Sequence, residues 1–151
     1  MKLAEALIIR TELDKSIKNL EARIISNSLI QEGSKVLEDP NVLLQELYEK
    51  IEEHKTIVTR INATNLNVKL NSGISIMEGI VKRDVYLRLY NTLNTICNHA
   101  NEKIDRYSKT EILNIATIDV AALRKKMDMV AKQRREIDIE IQSTNWIHDL
   151  I

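Results

Sequence analysis

The stretch LQELYEKIEEHKTIVTRINATNLNV, residues 44–68, decides how the chain is read. Its Leu44, Leu47, Ile51, His54, Val58, Ile61, Asn65 and Val68 recur at alternating steps of three and four. That is the heptad spacing of a helix that buries one seam against a neighbour, whereas a strand repeats every second residue. The start is marked by Asp39 before Pro40, an N-cap followed by proline at the first helical position. The segment 69–75, which carries Gly73, ends it.

The same period extends outward on both sides. Upstream, Leu3, Ala6, Leu13, Ile17, Leu20 and Ile24 predict a helix over about 2–30, with Arg10 filling the gap between Ala6 and Leu13. Gly33 and Pro40 punctuate the break that follows. Downstream, Ser75-Ile76-Met77-Glu78 has the pattern of a capping box, in which hydroxyl and carboxylate each satisfy a free backbone N–H. Its helix carries Tyr86, Tyr90, Leu93, Cys97, Ala100 and Ile104, widened by Leu89 and Ile96. DRYSKTEILNIAT, 105–117, is less regular: Ser108 and Glu111 suit a short capped turn, or Ile112, Leu113, Ile115 and Ile118 an extended cover. A last helix is expected over about 118–144 on Val120, Leu123, Met127, Val130, Arg134, Ile137 and Ile141, with NWIHDLI as a tail.

Helices of roughly 27–30 residues are each about 40–45 Å long at the helical rise. Matched lengths and short connections favour antiparallel neighbours. The expectation is an all-α fold in one domain, residues 1–151, an antiparallel up-down bundle of about four long, coiled-coil-like helices. The rival arrangement is a pair of hairpins whose core is completed by dimerisation.

Composition agrees. Of 151 residues, 44% are hydrophobic and 29% charged, a globular rather than disordered balance. Three Gly and one Pro are too few for the turns of an all-β chain. Lys+Arg and Asp+Glu are both 22, so no net field draws the chain to nucleic acid or an anionic membrane. Glu5 and Arg10 interrupt the first apolar run, so no signal-peptide core is expected, and a cytoplasmic location follows. In that setting the Asn62-Ala63-Thr64 glycosylation pattern is chance.

Catalytic and metal chemistry find little purchase. The Glu-x-x-His pair of metal-binding bundles needs an acid three residues before a histidine, but Ile51, Ile96 and Asn145 precede His54, His99 and His148. His54 sits in a seam and reads as a core histidine. Cys97 lies on the apolar stripe of the third helix and reads as structural. The basic residues Arg124, Lys125, Lys126, Lys132, Arg134 and Arg135 spread around their helix without interleaved aromatics, so nucleic acid is not expected. No enzyme activity, metal or cofactor is expected.

In an up-down arrangement, out-of-place polar residues gather at one pole: Arg10, Asn62, Asn65, Arg83, Asp84, Asn145 and Trp146. Arginines offer forked donors to an anion, asparagines donate or accept, and tryptophan supplies an apolar lid. Such a group suits a small anion or an acidic peptide. The structural alternative is that a seam asparagine fixes register and that Arg83 and Asp84 pair with neighbours.

The ordered set KLAEALIIR (2–10), EDPNVLLQEL (38–47), RINATN (60–65), KRD (82–84), RYSKTEI (106–112), TIDVAALRKK (117–126) and NW (145–146) resembles a family of small bacterial helical proteins known as septicolysins. The resemblance implies a membrane-active cytolysin and brings no catalytic residues with it. The residues themselves favour a non-enzymatic helical protein that self-associates or docks a protein partner.

Overall fold

Helix starts are set by side chains that satisfy the free N–H groups of a first turn, and each start is visible. A computed structural model of the chain describes residues 1–101 and 114–151. Among these described residues four helices run in the order α1 Leu3–Asn27, α2 Pro40–Asn67, α3 Ile76–Ala100 and α4 Val120–Ile147. At α1 the Glu5 carboxylate accepts the Lys2 N–H at 2.7 Å. At α2 the Asp39 carboxylate accepts from Asn41 at 2.9 Å, ahead of Pro40. At α3 Ser75 and Glu78 close the capping box reciprocally, at 3.2 and 2.7 Å. At α4 Asp119 accepts from Ala122 at 2.9 Å. The fold is all-α, with α1 packed on α2 and α3 on α4. The predicted readings of 105–113 and of Ile104 fall outside the described residues.

The chain divides into two compact units, Met1–Lys69 with Gln142–Ile151, and Leu70–Ile141. In the first, α1 and α2 run antiparallel. His54 Nε2 meets Asp14 Oδ1 at 3.1 Å midway along the pair. Near its closed end Arg23 Nε donates to Glu38 Oε2 at 3.1 Å, and Asn27 holds both sides. The Asn27 amide donates to the Arg23 carbonyl at 2.9 Å and accepts from Glu38 N–H at 3.2 Å, so this buried polar side chain is satisfied. Leu3, Ala6, Leu13 and Leu20 of α1 and Leu43, Ile57 and Ile61 of α2 are buried in the core. Each fully buried large aliphatic side chain stabilises by about 1.5–3 kcal/mol before entropy is counted.

The α2 seam follows the expected one at every position but Ile51. Leu44, Leu47, His54, Val58, Ile61, Asn65 and Val68 are buried or half-buried as predicted, and the most deeply buried residues lie partly on the neighbouring row. Leu43, Ile57 and Thr64 are buried, while Ile51 is 44% exposed and Asn65 is half-buried. Both flanks of this helix are apolar, and the Leu43–Ile57 flank is the more deeply buried.

In the second unit a tight turn precedes α3. Gly73 N–H donates to Leu70 O at 2.9 Å, Leu70 N–H to Ile74 O at 2.8 Å, and Gly73 takes φ 85°, the left-handed region suited to glycine. Ser72 N–H donates to Glu140 of α4 at 2.8 Å. Gly79 is buried beneath that turn: a Cβ there would lie 2.5 Å from Leu70 Cδ1 and 3.5 Å from Ile141 Cγ1. Farther along, Arg83 reaches across to Asp138 at 3.2 Å. Cys97 is 1% exposed, as the reading of a structural thiol requires. Leu89 and Ile96, expected to widen the buried stripe, are instead exposed.

Candidate functional site

The first unit is completed by residues that the sequence reading treats as a tail. No glycine or proline stops α4 at Thr144, and the helix continues through Ile147. Only then does the chain straighten. Leu3 N–H donates to His148 O at 3.0 Å, and Leu150 N–H donates to Met1 O at 2.9 Å, a short antiparallel pairing around Lys2 and Asp149. Lys2 Nζ adds bonds to Ile147 O at 2.8 Å and Asp149 Oδ1 at 3.2 Å. On the other side Ile151 N–H donates to Thr64 Oγ1 at 3.0 Å, and Arg60 Nε donates to Ile151 O at 3.0 Å. Residues 148–151 are thereby held to the start of α1 and to the last turns of α2.

This anchoring brings the last turns of α4 beside the first turns of α1, with a depression of about 410 Å³ lined by both. Ala4, Leu7, Ile8 and Thr11 line it from one side, at the i, i+3, i+4, i+7 spacing that places them on one helix flank. Gln142, Asn145 and Trp146 line it from the other. Arg10 and Glu12 complete it.

The polar groups here differ in what already occupies them. The Thr11 hydroxyl donates to Leu7 O at 3.0 Å. Glu12 is paired with Lys15 at 2.8 Å. Arg10 has no ion pair or hydrogen bond among the described residues. Asn145 is 5% exposed, and its Oδ1, sealed from solvent, accepts no hydrogen bond. Buried acceptors are almost always paired, and leaving one unpaired costs about 1–3 kcal/mol. Trp146, the chain's one tryptophan, is 57% exposed beside it.

Of the residues singled out from sequence, Arg10, Asn145 and Trp146 thus line one depression. Asn62 is exposed and Asn65 half-buried on α2, and neither lines it. Arg83 and Asp84 belong to the second unit. There Arg83 is hydrogen-bonded to both Asp84 and Asp138, and these bonds outweigh partial burial and keep the guanidinium firmly protonated. Sequence reasoning missed Thr64 and Arg60 as anchors, and it missed the Ala4–Leu7–Ile8–Thr11 flank. That flank's spacing was a usable signal, masked by the stronger stripe beside it. A larger hollow, about 720 Å³, lies between the end of α3 and residues 114–118. Among the described residues no cluster of His, Cys, Asp and Glu is arranged to hold a metal ion.

Residues 10–150 match a family described as "Family of unknown function (DUF6847)". The chain belongs to the DUF6847 family. A crystal structure of a functionally unknown conserved protein from Corynebacterium diphtheriae is similar to it, with 33% identity, a TM-score of 0.91, and coverage of 100% of this chain and 99% of that one. No curated protein matches. DUF6847 membership corrects the septicolysin resemblance, since the family that the chain matches is one of unknown function. The motifs behind that resemblance have structural duties here: Asp39-Pro40 caps α2, Arg60 and Thr64 hold the C-terminal residues, and Arg83 pairs with Asp138. Among the described residues, no helix is long and apolar enough to cross a membrane.

Proposed function

We propose that this DUF6847 protein is a non-catalytic binding protein, and that the depression between α1 and the end of α4 is where it docks its ligand. The supporting observation is one hollow that joins the unpartnered Arg10 to an apolar wall of Leu7, Ile8 and the exposed Trp146 indole. The carboxylate beside it, Glu12, is engaged by Lys15, and the remaining side chains are hydrocarbon, amide, hydroxyl, guanidinium and indole. None is poised to attack a substrate or to take its proton near neutral pH. The test is a fragment screen read by melting temperature on wild type and Arg10→Gln. Fragments that stabilise wild type and not the variant support the site; a screen in which both respond alike removes it.

A second reading, self-association, has its own support. Met77, Val81, Val85 and Leu89 follow one another at steps of four on α3 and are exposed, with Ile96 farther along. The flanks carry Glu78 with Lys82 and Asp84 with Arg88, one acid and one base on each side. Such a face can oppose a second copy of itself without like-charge repulsion. Sedimentation of wild type and of Val81→Glu/Val85→Glu checks it. A concentration-dependent dimer lost in the double variant is expected, and identical monomers would refute it.

A further inference from the structure

We infer that α3 pairs with α3 of a second copy in the antiparallel sense, the two helices crossing between Val81 and Val85. The inference rests on the self-association reading and adds the direction and register of the partner.

The shape of the face limits how a partner helix can lie on it. Met77, Val81, Val85 and Leu89 stand four residues apart and are all exposed. A row of that spacing is one of the oblique ridges of a helix surface, not a seam parallel to its axis. Ridges of this kind on two helices interdigitate when the axes cross at about −50°, the commonest packing of helix pairs. Such a crossing concentrates contact at the middle of the row. There Val81 and Val85 are 57% and 56% exposed, the most of the four.

The charges beside the ridge choose its direction. Glu78 and Lys82 each follow a ridge residue in sequence and so border the ridge on one side. Asp84 and Arg88 each precede one and border it on the other. All four are exposed. On both sides the acid comes first along the chain and the base second. A copy laid in the same direction brings one border against the other, acid facing acid and base facing base. A copy laid in the opposite direction brings each border against itself reversed. Glu78 then faces Lys82 of the partner subunit, and Asp84 faces Arg88 of the partner subunit, each pair repeated by the twofold axis. The charges are also centred on the crossing, since Glu78 and Arg88 lie equally far from Arg83 in sequence, as do Lys82 and Asp84.

The same spacing would suit ion pairs within the helix, but Lys82 and Arg88 have no ion pair among the described residues. Bonds within the chain hold the carboxylates in place. Glu78 accepts from the Ser75 N–H at 2.7 Å and Asp84 from Arg83 Nε at 3.1 Å, and a carboxylate has further lone pairs for a second donor.

Sedimentation of the full-length protein reads the direction from the sign of two effects. Salt screens the contacts between charges, so the wild-type dimer should weaken as salt is raised. Arg88→Glu, at an exposed position, should weaken it about tenfold at low salt, because acid then faces acid at two symmetry-related places. Combining Asp84→Lys with Arg88→Glu should restore the wild-type affinity, since that border reads base first and still complements itself reversed. Circular dichroism establishes that each variant is folded. In a parallel pair both signs invert: salt tightens the dimer, and so does Arg88→Glu. That result overturns the antiparallel assignment and leaves self-association standing. A dimer indifferent to Arg88→Glu also overturns the assignment. Wild type that stays monomeric at every concentration overturns both.

Discussion

The Thr64 hydroxyl accepts the Ile151 N–H at 3.0 Å while donating to the Arg60 carbonyl at 2.9 Å. Thr64 is 0% exposed, and both of its hydrogen-bonding capacities are used. Thr64→Val keeps the shape and leaves the Ile151 N–H without its acceptor. The expected loss is about 1–2 kcal/mol in urea unfolding, within the range for a broken buried hydrogen bond. Thr64→Ser, which keeps the oxygen, should recover part of it, and amide exchange at 150–151 should quicken in the valine variant alone. Equal stability of the two variants would contradict the anchoring role.

Asn145 bears on stability in the opposite sense. Replacing it with leucine removes an acceptor that has no partner and adds apolar contact at a buried position of α4. In the absence of ligand the variant should be more stable by about 1 kcal/mol, since the native residue carries the desolvation cost of an unpaired group. A marked drop in melting temperature would show that the amide is structurally required.

Gly79 is fitted under the turn that precedes α3. Alanine there gains about 1 kcal/mol of helix propensity. The same Cβ collides with the end of the buried Leu70 side chain, and overpacking costs about 1–3 kcal/mol. The net expectation is a modest loss. In a double-mutant cycle, Leu70→Ala should cost less in the Gly79→Ala background than in wild type, because the clash is then relieved. Additive effects would mean that the two residues do not compete for the same space.

The α1–α2 hairpin should loosen in acid. The hydrogen bond from Arg23, ahead of a smaller coulombic contribution, holds the Glu38 carboxyl below the usual glutamate range. A carboxyl depressed in the folded state stabilises fully above its unfolded value, about 4.3, and loses that contribution as pH falls through the folded one. The melting-temperature gap between wild type and Glu38→Gln should therefore be widest near neutrality and close below about pH 4. The pair is solvent-exposed, so the gap will be small and shrink with added salt. A gap that persists unchanged in strong acid would assign the effect to packing.

What could be read from the sequence follows from how local each cause is. Asp39-Pro40 and Ser75–Glu78 act within one turn of their own helix, and both caps lie where the sequence places them. The direction of the α2 face is not local. Leu44, Ile51 and Val58 form as good an apolar row as Leu43 and Ile57, and only contact with α1 selects between them. The same choice buries Thr64 more deeply than the seam residue Asn65, which is half-buried. At the candidate site, Arg10 was visible because it interrupts an apolar stripe, and Asn145 and Trp146 because they close the last helix. The Ala4–Thr11 flank was not, because an apolar residue beside an apolar stripe carries no contrast.

Cys97 sits sealed in the unit Leu70–Ile141, and Trp146 belongs to the other, each the lone member of its residue type. Nature has therefore built a pair of orthogonal reporters into the chain. A thiol reagent reaches Cys97 when its own unit opens, and indole emission follows the surroundings of Trp146, so one denaturant series scored by both signals measures whether the halves melt as one cooperative body or in succession.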